Sequence, residues 1–178
     1  MKIILIGSMG SGKTFIGSLL SSLIKYKHYD LDNIIEKLYN MSIMLIYYLF
    51  GEKNFRLIEK KILNIFLKYN NNNFILSVGG GTPCFYNNIK IMNYKGITFY
   101  LKTNYKILYK RLYKDKNRPL LKNYKKKKLY NLIKKKIKKR NKYYKKAKYI
   151  INTNKLNYIE IIEYIKNIIL KNKYDKKI

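Results

Sequence analysis

The chain has 178 residues, 40 of them lysine or arginine against 9 aspartate or glutamate, for a formal charge of +31. That length makes one domain with a real core; the single cysteine, Cys84, excludes an internal disulfide or a multi-cysteine metal site. The longest apolar run, residues 41–50, is too short to cross a bilayer.

The charge invites a nucleic-acid reading. The chain is, however, just as crowded with Ile, Asn, Tyr and Phe, residues served like lysine by A/T-rich codons, and it has no Trp. A+T pressure that deposits lysine on solvated faces explains the charge better, so loose, salt-sensitive sticking to RNA is expected and no specific nucleic acid. The same bias supplies a filter. Residues that need G/C-rich codons should persist mainly where nothing else works, and these are Arg56, Arg111, Arg118, Arg140, two prolines and nine glycines.

Residues 1–6 read as a short buried strand, which leaves no room for a secretory leader. The strand runs into Gly7-Ser8-Met9-Gly10-Ser11-Gly12-Lys13-Thr14, the G-x-x-x-x-G-K-T pattern of a phosphate-binding loop, and a helix over 13–24 follows. In such a loop Gly10, Ser11 and Gly12 turn backbone N–H groups toward a phosphate chain. Lys13 reaches the β- and γ-phosphates, and the Thr14 hydroxyl ligates Mg²⁺. A second strand over 26–30 ends in Asp30-Leu31-Asp32. One carboxylate there suits Mg²⁺ and the other a substrate hydroxyl, while Asp32-Asn33 also reads as a helix cap.

Helices are expected over about 32–39 and 42–50, a break at Gly51, and a helix over 54–68 with Phe55, Ile58, Ile62, Ile65 and Phe66 as its apolar stripe. Glu52, Arg56 and Glu59 share a face opposite that stripe, where arginine suits a planar carboxylate partner or, more plainly, a surface ion pair with Glu59. A third strand over 74–78 leads into Gly79-Gly80-Gly81, a side-chain-free floor for a small ligand.

A helix near 86–93, a strand over 97–101 and a helix over 104–113 come next. Arg111 ends that helix, either solvated or stacked on a nucleotide base. A loop over 114–121 carries Arg118-Pro119-Leu120-Leu121, where a mobile lid could bring Arg118 to a transferring phosphoryl group. A lysine-coated helix over 124–144 buries Leu129, Ile133 and Ile137 and places Arg140 on that inward stripe, facing a bound anion or an internal salt bridge. A fifth strand over 149–151 and a helix over 158–170 complete the pattern. Strands alternating with helices predict an α/β fold: three layers, α/β/α, on a five-stranded parallel sheet of P-loop NTPase type. Ligands bind at the carboxyl ends of such strands, so the three strand-end clusters should converge. His28, Cys84 and the many tyrosines read as structural.

Taken in order, the loop with Gly17, Asp30-x-Asp32 with Ile35-Glu36, Gly51-Glu52-x-x-Phe55-Arg56-x-x-Glu59, Gly79-Gly80-Gly81, Arg118-Pro119-Leu120-Leu121 and Arg140 with Tyr144, Ala147 and Ile151-x-Thr153 resemble the shikimate kinase family. All four arginines fall on family positions. The resemblance implies one kinase domain over 1–178, with a substrate-binding region about 31–60 and a lid about 112–124. It implies ATP-dependent phosphorylation of the 3-hydroxyl of shikimate on the way to chorismate and the aromatic amino acids, by a monomer in the cytoplasm. It also implies the roles. Lys13, Asp32 and Arg118 act in catalysis, with Arg118 and Arg111 on ATP and Thr14 and Asp30 on Mg²⁺. Asp32 holds the substrate hydroxyls, Arg56 and Arg140 its carboxylate, and Gly79, Gly80 and Gly81 line the pocket. Ser18 stands where the family often has arginine, and the segment 119–140 is longer and richer in lysine than usual. A gluconate- or nucleoside-monophosphate-type kinase, or a non-catalytic basic RNA-binding protein, are the competing expectations.

Overall fold

The sheet is built outward from β1 (Lys2–Ile6), in which Ile3, Ile4, Leu5 and Ile6 are all completely buried. A parallel strand covered on both faces has no polar side. Alternation sends Ile4 and Ile6 into one core and Ile3 and Leu5 into the other. β1 pairs in parallel with β3 (Phe74–Ser77) and β4 (Ile97–Lys102), Ile3 lying opposite Ile75 and Ile97. β2 (Lys27–Asp30) and β5 (Tyr149–Asn152) form the edges, giving the order β2-β3-β1-β4-β5. The structure, a computed structural model, describes residues 1–115 and 125–174.

On one face α1 (Lys13–Ile24) and α7 (Tyr158–Tyr174) pack Ile16, Leu20, Ile161 and Ile165 against Ile3 and Leu5. On the other, α2 (Leu31–Tyr39), α3 (Ile43–Tyr69) and α4 (Asn88–Lys95) bring Leu31, Ile35, Phe55, Leu63 and Met92 onto Ile4 and Ile6. Tyr144, at the end of α6 (Lys126–Tyr144), is buried in the same core. α5 (Tyr105–Lys114) meets α6 in a small core of its own, made by Leu108, Leu112, Leu129 and Ile133. The expected three-layer α/β/α fold with a five-stranded parallel sheet is the fold found. No helix among the described residues is long and apolar enough to cross a membrane.

Several local features differ from the sequence reading. Asp30, not Asp32, caps α2, its Oδ1 accepting the Asp32 N–H at 3.0 Å. Asp32 therefore sits in the first helical turn. The helices expected over 42–50 and 54–68 are one 27-residue element kinked at Gly51, whose φ of 73° is left-handed. The kink resets the helical phase. Beyond it the buried face carries Phe55, Arg56, Glu59, Ile62, Leu63 and Leu67, while Ile65 is 49% exposed. Arg56 and Glu59 thus lie on the inward face rather than opposite it. The helix expected from residue 86 begins at Asn88, because Tyr86 and Asn87 have φ of 49° and 59°; a 3₁₀ turn, Thr82–Cys84, precedes them. Of the expected lid, residues 112–114 belong to α5, and 116–124, with Arg118, lie outside the described residues.

One close contact fixes α1 against the sheet. A β-carbon built on Gly17 would stand 2.8 Å from His28 Cδ2 and closer still to Nε2, and that nitrogen shares a 2.9 Å hydrogen bond with Ser77 Oγ. Alanine normally stabilises a helix interior by about 1 kcal/mol over glycine. Here Gly17→Ala is expected to destabilise by about 1–3 kcal/mol through overpacking, and to become neutral or favourable in a His28→Ala background. Urea unfolding of the single and double variants measures both, and a neutral Gly17→Ala alone would mean that the His28 ring gives way and the contact does not constrain α1.

Candidate active site

The carboxyl ends of β1, β2 and β3 open on one cleft of about 640 Å³. Loop residues 9–14, Asp30, Asp32, Gly79, Gly80 and Arg111 all line it, as does the turn after β5 around Leu156. The three strand-end clusters expected to converge do so.

The loop holds its shape through glycine and lysine. Gly10 and Gly12 have φ of 80° and 90°, which side chains rarely adopt. Lys13, only 9% exposed, turns its Nζ back to the carbonyl oxygens of Gly7 at 3.0 Å and Ser8 at 2.9 Å. An ammonium is thereby placed inside the loop at the N-terminus of α1, where the helix dipole already favours an anion. Ser11 Oγ is buried there without a hydrogen-bond partner among the described residues. Arg111 is exposed at the rim, and its Nη1 donates to Gly10 O at 3.2 Å.

Thr14 Oγ1 donates to Asp30 Oδ2 at 2.9 Å. A hydroxyl and a carboxylate side by side at the cleft are oxygen donors that fit Mg²⁺, which takes few protein ligands and keeps its waters. Among the described residues no group of three or more His, Cys, Asp or Glu could hold a metal, so any ion here relies on water and phosphate for its other positions.

Asp32 stands between this loop and a second charged group. Its carboxyl is pushed up to about 6, first by burial and then by the charges of Asp30 and Glu59, with Lys13 and Arg56 pulling it back. Glu59, 0% exposed, accepts from Arg56 Nη1 at 2.7 Å and from the Thr82 hydroxyl. Arg56 is 6% exposed, its guanidinium lying 4.9 Å from the Phe55 ring centre and 4.8 Å from that of Phe85. Burial works against its charge, but Glu59 more than offsets that and keeps it protonated.

The glycine triplet is explained by these neighbours, since none of its three residues has a left-handed φ. A β-carbon on Gly79 would stand 3.0 Å from Asp32 Oδ1 and 3.1 Å from Glu59 Oε1. On Gly80 it would lie 3.2 Å from Met9 N and 3.4 Å from Arg140 Nη1, and on Gly81 2.7 Å from Arg56 Cζ. Three consecutive residues thus touch the carboxylate, the phosphate loop and both arginines. The Tyr144 hydroxyl donates to Gly80 O at 2.5 Å and is also tied to Arg140. Arg140 is half-buried, on the inward side of α6 as expected.

Arg56, Gly81 and Arg140 do not line the cleft itself; they stand behind and beside its glycine floor. Sequence reasoning missed Thr82, Phe85 and the Tyr47 hydroxyl, which takes a hydrogen bond from Arg56 Nη2 at 2.5 Å. Nine residues before Arg56, Tyr47 would lie on the opposite face of an unbroken helix, and the kink at Gly51 between them is what lets the two meet, so no local signal marked it. Cys84 is half-buried, its thiol pushed up to about 11 by burial, which makes it unreactive.

Residues 9–170 match the family profile described as shikimate kinase. A shikimate kinase of Azobacteroides pseudotrichonymphae is 38% identical over 164 residues, 91% of this chain and 95% of the relative. The crystal structure of shikimate kinase from Bacteroides thetaiotaomicron superposes with a TM-score of 0.88 at 29% identity, covering 95% of this chain and 98% of that one. Shikimate kinase from Acinetobacter baumannii in complex with shikimate gives a TM-score of 0.85 at 32% identity, covering 97% and 94%.

Proposed function

This chain belongs to the shikimate kinase family, and from that premise we propose that it transfers the γ-phosphoryl group of ATP to the 3-hydroxyl of shikimate, giving shikimate 3-phosphate and ADP in aromatic amino acid biosynthesis. The observation that carries this reading is the placing of Arg140 and Arg56 against consecutive glycines, with Asp32 against the glycine before them. Two fixed guanidinium groups and a hydroxyl-accepting carboxylate at the foot of a phosphate loop suit a small hydroxylated acid better than a nucleobase or gluconate's flexible chain.

In this assignment the loop amides of Gly10, Ser11 and Gly12 and the Lys13 ammonium hold the β- and γ-phosphates. Asp32 accepts a hydrogen bond from the acceptor hydroxyl and aims its oxygen at the γ-phosphorus. The new P–O bond forms as the bond to the ADP oxygen breaks and the hydroxyl's proton passes to the Asp32 carboxylate and on to solvent, so the work is mainly positioning and charge neutralisation. Arg56 and Arg140 hold the acid, Arg111 the adenine end, and Arg118 the transferring group. Thr14 and Asp30 would hold Mg²⁺, which when bound supplies positive charge to the phosphate oxygens. A monomer acting in the cytoplasm completes the proposal.

ADP release with ATP and Mg²⁺, with and without shikimate, tests it at moderate salt. Strong stimulation by shikimate alone is expected. Stimulation by gluconate or a nucleoside monophosphate instead, in a folded sample, would sink it.

Asp32 also sets a pH dependence. It must be ionised to accept the hydroxyl's hydrogen bond, so kcat/KM for shikimate should rise with pH through about 6. Stability runs the other way. The folded state binds this proton more tightly than the unfolded chain, whose carboxyl has the ordinary value of 3.8, so the contribution is greatest below that value and is lost as pH rises through about 6. Asp32→Asn should therefore melt higher than the parent at pH 7.5 while losing at least about a hundredfold in kcat/KM. A variant that melts lower would contradict the strained-carboxylate account.

A further inference from the structure

The Arg56 guanidinium has a committed end and an open edge. Nη1 is bound to Glu59 Oε2 at 2.7 Å. Nε and Nη2 form the side-on edge, on which a carboxylate can place both oxygens at once. Here Nη2 donates to the Tyr47 hydroxyl at 2.5 Å, while Nε is buried without a hydrogen-bond partner among the described residues, Glu52 Oε1 standing 3.7 Å away. A neutral phenol thus occupies half of a carboxylate site, and the other half has only the ion pair with Glu52, too long for a hydrogen bond.

The arginine cannot move to meet a ligand. Phe55 and Phe85 flank it, Tyr47 lies 5.6 Å from it, and the Gly81 backbone packs against it so closely that a β-carbon would not fit. Tyr47 can move. It belongs to the half of α3 before the Gly51 kink, where Ile46 is the one fully buried residue and Met44, Leu45, Tyr48, Leu49 and Phe50 are exposed. With one buried residue against six beyond Gly51, this half has less packing to lose in a shift than the rest of α3.

We propose that Tyr47 is a placeholder for the substrate carboxylate: its hydroxyl holds the side-on edge of Arg56 in the free enzyme and is displaced when an acid binds. This deepens the shikimate kinase reading and rests on it. The exchange replaces one bond from the guanidinium to a neutral hydroxyl by a bidentate pair to an oppositely charged carboxylate, which adds both a second bond and a charge. A carboxylate drives it and an uncharged group does not, so Tyr47 is a positioning residue that sharpens selection for acids. The phenol stays neutral throughout, burial having pushed it up to about 12.

Because the hydroxyl competes with substrate, its removal should tighten binding. Tyr47→Phe keeps the ring, which packs 4.4 Å from that of Phe55, and deletes only the competitor. One net hydrogen bond predicts shikimate bound about three- to tenfold more tightly by calorimetry. The KM for shikimate should fall to match, with no change in the KM for ATP. The carboxyl-free triol analogue of shikimate, which does not need the edge, should show the same kcat/KM in both proteins. Shikimate affinity unchanged or weakened in Tyr47→Phe, with turnover present, would overturn the placeholder alone. A wild-type protein that binds no shikimate would overturn both the placeholder and the reading beneath it.

Discussion

Lys13→Ala is expected to lower kcat by about a thousandfold or more while leaving the fold in place. Removing one preorganised charge donor from a transition state costs about 10²–10³, and Lys13 does more than donate. Its Nζ bridges the Gly7 and Ser8 carbonyls at 3.0 and 2.9 Å, so the same ammonium that meets the phosphates also holds the curve of the loop. Losing it removes a full positive charge and relaxes the amides of Gly10, Ser11 and Gly12. Stability should change by no more than about 1 kcal/mol, because Lys13 itself lines the cleft and water can take its place against the two carbonyls. Lys13→Arg should rescue little, since a planar guanidinium cannot sit as a point charge between those oxygens. Single-turnover phosphoryl transfer at saturating ATP and shikimate is the measurement, with a thermal melt beside it. A tenth of the parent's rate in Lys13→Ala would remove the lysine from the chemistry.

The loop could be read from the chain alone because its signals are local: a buried strand, glycines at fixed spacing, and a helix behind them. The convergence of Asp30, Asp32 and Gly79 on it was also legible, because topology forces parallel strand ends to one side. What escaped depends on contacts distant in sequence or on helical phase. Arg56 and Glu59 read as an outward face because a stripe drawn through Ile58, Ile62 and Ile65 passes over Leu63 and Leu67. With apolar residues on both sides of the helix, apolarity alone does not decide which face is buried, and the face that takes in Leu63 and Leu67 also takes in Arg56 and Glu59. Thr82 and Tyr47 carry no motif; each matters only because packing brings it to Glu59 or Arg56. The glycine triplet was recognised as a floor. Its cause, side chains pressed onto three successive α-carbons, is visible only once those side chains have positions.

Arg56→Ala should cost about 3–5 kcal/mol of stability, the penalty for leaving a buried ionised partner without its counter-charge. Glu59 is that partner, 0% exposed, with Arg56 at 2.7 Å and otherwise, among the described residues, only the Thr82 hydroxyl donating to it. Such a loss looks like damage to the fold and would obscure a binding role, so the test must separate the two. Replacing both residues by apolar ones of similar volume, Arg56→Met with Glu59→Leu, removes the stranded charge and should recover most of the stability, as buried pairs exchanged for hydrophobic residues often do. It cannot recover the site. Neither side chain can hold a carboxylate, so the KM for shikimate should stay at least about a hundredfold above the parent's, while the KM for ATP, whose loop lies across the glycine floor, changes little. Urea unfolding and steady-state kinetics on the three proteins distinguish the outcomes. Arg56→Ala as stable as the parent would mean that Glu59 is not an ion stranded by the loss. A double variant that regains shikimate affinity along with its stability would mean that Arg56 serves the fold and not the substrate. The expected pattern, stability restored and affinity still lost, requires one arginine held on one side by a permanent partner and on the other by a transient one.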